Sequence, residues 1–412
     1  MLPAISRSPL AIDGGRPVRT TPFPAWPYFS DDEVAAAVDV MRSGRVNYWT
    51  GAQGREFERE FAASCDCRHG VAVANGTVAL ELALRSLGIG PGDDVVTSSR
   101  TFVASASAIS MCGARPVFAD VDRESQNLCA ESIRAVLTPR TRAIIAVHLA
   151  GWPCDMEPIL ELARAHGLFV VEDCAQSQGA ACHGRAVGSF GDAAAFSFCQ
   201  DKIMTTLGEG GMFTTNNSQL WKQACAFRDH GRNDASSIPA EPADSGTRGF
   251  RWVHDSLGTN WRLTEIQSAV GRLQLQKVAE WMKTRQAHAR KLASRLGQIA
   301  ALRVPFPPAH LEPAWYRFYA FIRPQKLSRG WDRDLILEAI NAEGVPCFVG
   351  SCSEVYLEKA FSEVRPAQRL PIARELGESS LAFLVHPTLM ETDIEAACRA
   401  VEKVFAVASL CP

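Results

Sequence analysis

Between about residues 70 and 220, segments with strand character alternate with segments of helical character across short connections, and this alternation restricts the fold more than any other feature. Apolar strands are read at 95–96, 116–120, 143–148, 168–172, 193–198 and 211–215, and helices at 77–87, 102–111, 131–137 and 156–166. Strands apolar on both faces and separated by helices predict an α/β fold with a mostly parallel sheet covered by helices on both sides. In such folds ligands sit at the carboxyl ends of the strands, so that edge is where chemistry is sought.

The flanking segments read differently. Residues 17–27 carry prolines at 17, 22, 24 and 27, which forbid a helix or a central strand and predict an arm crossing another surface, of the kind that often serves a dimer. Ser30 followed by Asp31, Asp32 and Glu33, with Gly44 closing the apolar pattern, predicts a capped helix. The mixture Asn47-Tyr48-Trp49-Thr50-Gly51 suits a binding loop as well as an exposed turn. A long helical pattern over 264–296 leads to a strand at 315–322, a helix at 334–342, strands at 345–349 and 381–385, and a terminal helix at 391–407. The expected organisation is therefore an arm (1–29), a large domain (30–280) and a smaller C-terminal α+β domain (281–412).

Composition narrows the function classes. With 412 residues, 47% hydrophobic, 21% charged and a formal net charge of -2, the chain has a large core and no bias toward nucleic acid or other polyanions. Its 13 cysteines are odd in number and scattered, with only Cys65 and Cys67 close together, so neither a disulfide framework nor a zinc spacing is present. No metal is expected, and reduced thiols point to the cytoplasm. The N-terminus lacks an apolar targeting core and no later stretch has spanning length, so no membrane association is expected.

One lysine stands out against this background. Lys202 lies between the apolar strand ending at Phe198 and the glycine-rich Gly208-Glu209-Gly210-Gly211. An ammonium costs several kcal/mol to desolvate without a partner. Burial favours the neutral amine, which forms a Schiff base with a carbonyl, and the obvious carbonyl is the aldehyde of pyridoxal phosphate. That cofactor also needs a carboxylate at its ring nitrogen, a phosphate cradle and a stacking partner. Asp173, just past a strand, supplies the first. Gly76 and Thr77 at a helix start after Asn75, together with Ser197, supply the second. Phe102, at another strand-to-helix junction, supplies the third. Taken singly, each also has an ordinary reading as a snorkelling lysine, a turn or helix cap, a core hydroxyl or a core aromatic.

Jointly, and in this order, the motifs resemble those of the DegT/DnrJ/StrS-type sugar aminotransferases. They are Asn75-Gly-Thr-Val-Ala-Leu80, Thr101-Phe-Val-Ala104, Val147-His-Leu-Ala-Gly151, Glu172-Asp-Cys-Ala-Gln176, Gly188-Ser-Phe-Gly-Asp-Ala-Ala-Ala-Phe-Ser-Phe198, Lys202, Gly208-Glu-Gly-Gly211 and Gly258-Thr-Asn-Trp-Arg-Leu-Thr-Glu-Ile-Gln267, and they cover nearly the whole chain. The resemblance implies the aspartate-aminotransferase fold (fold type I), pyridoxal 5'-phosphate as cofactor and a homodimer whose active sites lie at the subunit interface. It places Lys202 as the Schiff-base lysine, Asp173 at the ring nitrogen, Gln176 near the cofactor hydroxyl, Gly76, Thr77 and Ser197 at the phosphate, and Phe102 on the ring. Asn260 matches an asparagine that reaches the phosphate from the neighbouring subunit, and it also reads as a cap for the long helix that follows.

Some positions depart from the family pattern. Gln178 stands where many members carry His, Leu207 where Gly is frequent, and residues 348–356 lack a His-Tyr-Pro type of sequence. Asp13-Gly-Gly-Arg-Pro-Val-Arg19 and Phe23-Pro-Ala-Trp-Pro27 resemble members that act on ketocyclitols or make aminohydroxybenzoate. The implied activity is transfer of an amino group from glutamate or glutamine to a ketone of a nucleotide-linked sugar, with Lys202 as covalent tether and general acid/base. A ketocyclitol or aminohydroxybenzoate-type acceptor, or a regulatory protein that binds without turnover, are the competing readings. The dehydratase branch of the same scaffold replaces the lysine with histidine, which Lys202 argues against. His230, Tyr48, Trp49 and Tyr316 are further candidates for the pocket lining.

Overall fold

The computed structural model describes residues 9–232 and 254–410; the first eight residues of the expected arm lie outside these ranges. Helices α1 (Asp31–Ser43) and α2 (Gln53–Ser64) precede strand β1 (His69–Val73). Then follow α3 (Gly76–Ser86), β2 (Asp94–Ser98), α4 (Val103–Met111), β3 (Arg115–Ala119), α5 (Ala130–Arg134), β4 (Thr141–Val147), α6 (Met156–His166) and β5 (Phe169–Asp173). A small hairpin, β6 (Ala181–Cys182) and β7 (Arg185–Ala186), leads to β8 (Ala193–Ser197), β9 (Gly211–Thr215) and α7 (Ser218–Arg228). After α8 (Glu265–Leu296) come β10 (Leu302–Arg303), β11 (Leu311–Glu312), β12 (Phe318–Ile322), α9 (Arg333–Ala342), β13 (Cys347–Phe348), α10 (Pro371–Ser379), β14 (Ser380–Phe383) and α11 (Glu391–Ala408).

Seven strands form one sheet in the order β1-β9-β8-β5-β4-β2-β3. All run the same way except β9, which is antiparallel to both of its neighbours. Strands β2, β8 and β9 are buried at every residue, as expected of a sheet covered on both faces. The register then decides where chemistry can be built. Asp173 pairs with Val147 and Ala195, Ser197 pairs with Gly211, and Gly211 pairs with Val73. One edge therefore carries the ends of β5 and β8 side by side and the end of β1 beyond the start of β9.

Local signals position the helices at that edge. Asn75 caps α3 by accepting from the Val78 amide at 3.0 Å. Ser30 and Glu33 form a capping box at the start of α1, and Gly44 ends it at φ +66°. Thr264, not Asn260, caps α8, with Gln267 completing the box. This removes the helix-cap role expected for Asn260.

The C-terminal layer is a four-stranded antiparallel sheet, β10-β12-β14-β13. Leu292, Leu296, Phe318, Ile340, Val401 and Phe405 from α8, β12, α9 and α11 share its buried core. The strand expected at 345–349 contracts to Cys347–Phe348, between Gly344 and Gly350, both in the left-handed region. The strand expected from 315 begins at Phe318, because Trp315 has φ +50°. The arm crosses the C-terminal layer of its own chain: the Ala11 and Val18 amides donate to Glu343 at 2.8 and 3.0 Å, and Arg19 pairs with Asp393 at 2.6 Å. Leu10 is buried in the same core. A third, three-stranded sheet, β11-β6-β7, links the C-terminal half back to the large sheet.

Candidate active site

Asp173, the last residue of β5, is 6% exposed. Its Oδ2 accepts from Ser105 Oγ at 2.7 Å and its Oδ1 from the Ala175 amide at 3.1 Å. Ser105 Oγ is in turn 2.7 Å from Thr101 Oγ1. Burial nevertheless raises the Asp173 pKa, the mark of a carboxylate whose neutral donors do not balance its charge. Behind it, Glu172 is fully engaged. It accepts from the amides of Gly188, Phe190 and Gly191 at 2.7–2.9 Å, and lies 3.1 Å from His148 Nε2. Because His148 Nδ1 accepts from the Cys154 amide, the ring proton sits on Nε2 and points at Glu172. This buried network fixes the end of β5 to the approach of β8.

Lys202 follows β8 on a turn closed by its own amide bonding to Cys199 O at 3.1 Å. Its Nζ lies 3.8 Å from Asp201 Oδ1 and 4.9 Å from the centre of the Tyr316 ring. The Trp26 indole of the arm donates to Lys202 O at 2.8 Å. Leu207, a few residues on, holds φ +62°, which explains why glycine suits that position and marks a strained turn here.

The start of α3 faces Ser197. A Cβ on Gly76 would lie 2.5 Å from Ser197 Cβ, so only glycine allows the helix start to approach the strand end this closely. Asn75 satisfies the Val78 amide, and among the described residues nothing accepts from the Gly76 or Thr77 amides. Ser197 Oγ accepts from the Cys199 amide at 3.4 Å, and Ser197 O from Gln178 Nε2 at 2.5 Å. Phe102, at the head of α4, is 65% exposed rather than packed in the core. A buried carboxylate short of a cation, free amides at a helix start beside a serine, an exposed aromatic face and an amine fit a phosphorylated pyridine aldehyde.

Two residues sit otherwise than a direct contact would suggest. Gln176 Oε1 accepts from the Ala150 amide at 2.7 Å, so part of its side chain braces the left-handed turn at Ala150. Asn260 is exposed on a segment that bridges Asp229, while the next residue's carbonyl accepts from the Ala74 amide at 2.9 Å. Its own chain thus places it beside the end of β1.

Next to Lys202, through Asp201 and Trp26, lies a cleft of about 490 Å³, lined by Phe23 and Trp26 of the arm, Asp201, Arg317, Phe348 and His386 among others. Tyr316 OH donates to Asp201 Oδ2, and Arg317 Nη2 lies 4.0 Å from the same oxygen. The Arg317 guanidinium stands over the rings of Tyr316 and Phe348 at 5.0 and 5.7 Å. His386 stacks on Trp26, its Nδ1 2.8 Å from Thr388 Oγ1. Burial, with Arg285 and Arg317 nearby, pushes its pKa down to about 3.

Sequence reasoning missed Ser105, Asp201, Trp26 and Arg317. Ser105, one helical turn after Phe102, and Asp201, next to the lysine, carried a positional signal; Trp26 and Arg317 reach the site only through tertiary contacts. Tyr316 does line it. Tyr48 does not: it is buried, bonds to Glu58 Oε2 at 2.9 Å and packs under Arg228. Trp49 stacks with Arg232, and His230 adopts φ +60° at a turn.

A profile of the DegT/DnrJ/EryC1/StrS aminotransferase family matches residues 27–402. The GDP-perosamine synthase of Caulobacter vibrioides is 36% identical over 365 residues, 87% of this chain and 92% of that protein. The UDP-N-acetyl-3-dehydro-alpha-D-glucosamine 3-aminotransferase of Acidithiobacillus ferrooxidans is 36% identical over 363 residues, 88% of this chain and 91% of the relative. The X-ray structure of an aminotransferase from Psychrobacter cryohalolentis superposes with a TM-score of 0.90 at 48% identity, covering 93% of this chain and 99% of the other.

Proposed function

The chain belongs to the DegT/DnrJ/EryC1/StrS aminotransferase family, and from that premise we propose that it uses pyridoxal 5'-phosphate to move an amino group from glutamate or glutamine to a ketone of a nucleotide-linked sugar. The observation that carries this reading is the convergence of Lys202, Asp173 and the Gly76–Ser197 contact on one edge of the seven-stranded sheet. The acceptor class rests on relatives named for GDP- and UDP-linked sugars. The arm motifs keep a ketocyclitol or aminohydroxybenzoate-type acceptor as the second reading.

Bound pyridoxal phosphate would supply an aldehyde for the amine and a ring that withdraws electrons from the donor Cα. The chain's own residues do the rest. Lys202 Nζ would hold the cofactor's aldehyde group and, as a free amine, would serve as the base for the donor Cα proton. The Asp173 carboxylate, held by Ser105 and the Ala175 amide, keeps the ring nitrogen protonated. The Gly76 and Thr77 amides and Ser197 Oγ would hold the phosphate, Phe102 would cover the ring, and Gln176 would serve the ring hydroxyl. Asn260 completes the phosphate site from a second copy of the chain, in a homodimer. Among the described residues no helix is long and apolar enough to cross a membrane. A cytoplasmic location, with diffusible substrates, is part of the proposal.

Lys202→Ala tests the assignment. The variant should retain its circular dichroism spectrum and melting temperature and lose glutamate- or glutamine-dependent amination of a nucleotide keto-sugar. Undiminished turnover by that variant would sink the reading.

A further inference from the structure

We propose that Asp155, His183 and His310 form a binding site for a divalent transition-metal ion, Zn²⁺ first among them. The ligand atoms of these three residues all lie within 4.8 Å of one another. No hydrogen bond or ion pair engages their side chains among the described residues.

The histidines meet because of strand pairing. Strands β6 and β11 pair antiparallel through Cys182 with Leu311 and Ala181 with Glu312, so the next step of the ladder sets His183 opposite His310. The His183 amide donates to His310 O at 2.7 Å. Directly opposed side chains share one face of a sheet, and the two rings lie face to face with centroids 4.5 Å apart. His183 and Gly184 form the two-residue turn between β6 and β7, with φ of +50° and +71°. That left-handed turn favours Asn-Gly, so histidine there is carried against local preference.

Asp155 arrives from a third element. It occupies the N-cap of α6, where an aspartate ordinarily accepts from the first-turn amides, yet its carboxylate makes no capping bond. Beneath the site, Trp152, Cys182 and Leu311 form a small buried apolar cluster that anchors all three backbones.

Two imidazoles and one carboxylate are ligands that suit Zn²⁺, with water filling the open fourth position. Tetrahedral bonds of about 2.0–2.1 Å set ligand atoms about 3.3 Å apart, so the ligand atoms must close by about 1.5 Å at most. The two stacked rings must also turn about their side-chain torsions so that their in-plane lone pairs meet at one ion. Asp155 and His183 are exposed and His310 half-buried, which leaves room for that adjustment. The other cluster of this kind, His148, Glu172 and Cys174, is buried, and its carboxylate is already saturated by three amides and His148.

An ion here would tie the start of α6 and the β6–β7 hairpin to β11. Residues 311–316 continue from β11 to Tyr316, with the Ala314 and Tyr316 amides donating to Gly151 and Ala150 at 2.8 Å each. Metal binding would thus stiffen the segment that brings Tyr316 to Lys202.

The test uses full-length holoenzyme freed of metal by chelation and dialysis, titrated with ZnCl₂ by calorimetry and thermal melting. One ion per chain should bind and raise the melting temperature. His183→Asn, which keeps a residue tolerant of the left-handed turn, and His310→Asn should each weaken binding by tenfold or more, and Asp155→Asn by less. Undiminished Zn²⁺ binding in the His183→Asn/His310→Asn double variant overturns the site, as does its loss in Cys352→Ser, because Cys352 is an exposed thiol. Absence of binding by the wild-type protein overturns it equally.

Discussion

The two groups of side chains beside Lys202, those of the sheet edge and those of the neighbouring cleft, are built by different means. The sheet side takes Asp173, Ser197 and Gly76 from neighbouring strand ends and one helix start, each placed by register and capping. The cleft side takes Trp26 from the arm and Tyr316, Arg317, Phe348 and His386 from the C-terminal half, brought together only by the packing of distant segments. The first arrangement repeats wherever the same motifs recur on the same fold. The second can be rewritten residue by residue without disturbing it, which is how one scaffold serves many ketones.

If that contrast holds, damage to the sheet side should strike cofactor binding itself. Gly76→Ala is the sharpest probe, since its Cβ would stand 2.5 Å from Ser197 Cβ and 3.1 Å from Ser197 Cα, neither of which can swing away. Overpacking of this kind costs about 1–3 kcal/mol. Pyridoxal phosphate affinity, measured by absorbance titration of the apoprotein, should fall roughly tenfold to a hundredfold. An unchanged affinity would mean that α3 does not set the phosphate position.

Damage to the cleft side should leave the cofactor alone. Arg317 is the cation best placed in the cleft for an anionic substrate group, its guanidinium beside Asp201 and flanked by two aromatic rings. Losing one charge-assisted hydrogen bond costs about 1.5 kcal/mol or somewhat more. Arg317→Gln should therefore raise the KM for the amino donor or the keto-sugar roughly tenfold, with cofactor affinity unmoved. A parallel loss of cofactor binding would erase the distinction between the two sides.

The same contrast explains what the sequence made legible. The α/β alternation, Lys202, Asp173 and the Asn75-Gly76-Thr77 start are short-range signals at strand ends, and register brought them together as the pattern implied. Strand β1, α2 and α7 were not read from the sequence; α7 is rich in polar residues and weakly patterned, whereas α2 does carry an apolar face, with Phe57 and Phe61 buried one turn apart. Trp26 and Arg317 lacked any local mark, since nothing in residues 17–27 shows that the arm's indole will reach the carbonyl of Lys202. Tyr48 misled for the same reason: an aromatic beside polar residues looked available for binding, but Glu58 and Arg228, far along the chain from one another, claim it.

The smallest expected effect concerns acid, and it separates the two sides by the sign of a titration. His386 has its pKa pushed down to about 3 by burial and by Arg285, Arg317 and His288, against 6.5 when free. Between those values the unfolded chain binds a proton that the folded chain refuses, so this group's contribution to stability is intact above pH 6.5 and is lost as the pH falls. At pH 5.5 the loss is about 1.4 kcal/mol. Asp173 works the other way, because its raised pKa favours proton uptake by the folded state. Urea unfolding of wild type and His386→Gln at pH 7.5, 6.5 and 5.5 measures the difference: the wild type should lose stability faster than the variant as the pH drops. Because the substitution also removes a ring stacked on Trp26, the slope with pH and not the absolute stability carries the result. Parallel slopes would mean that His386 accepts its proton in place, with water or a shifted arm meeting the charge, and that the cleft is softer than the sheet edge beside it.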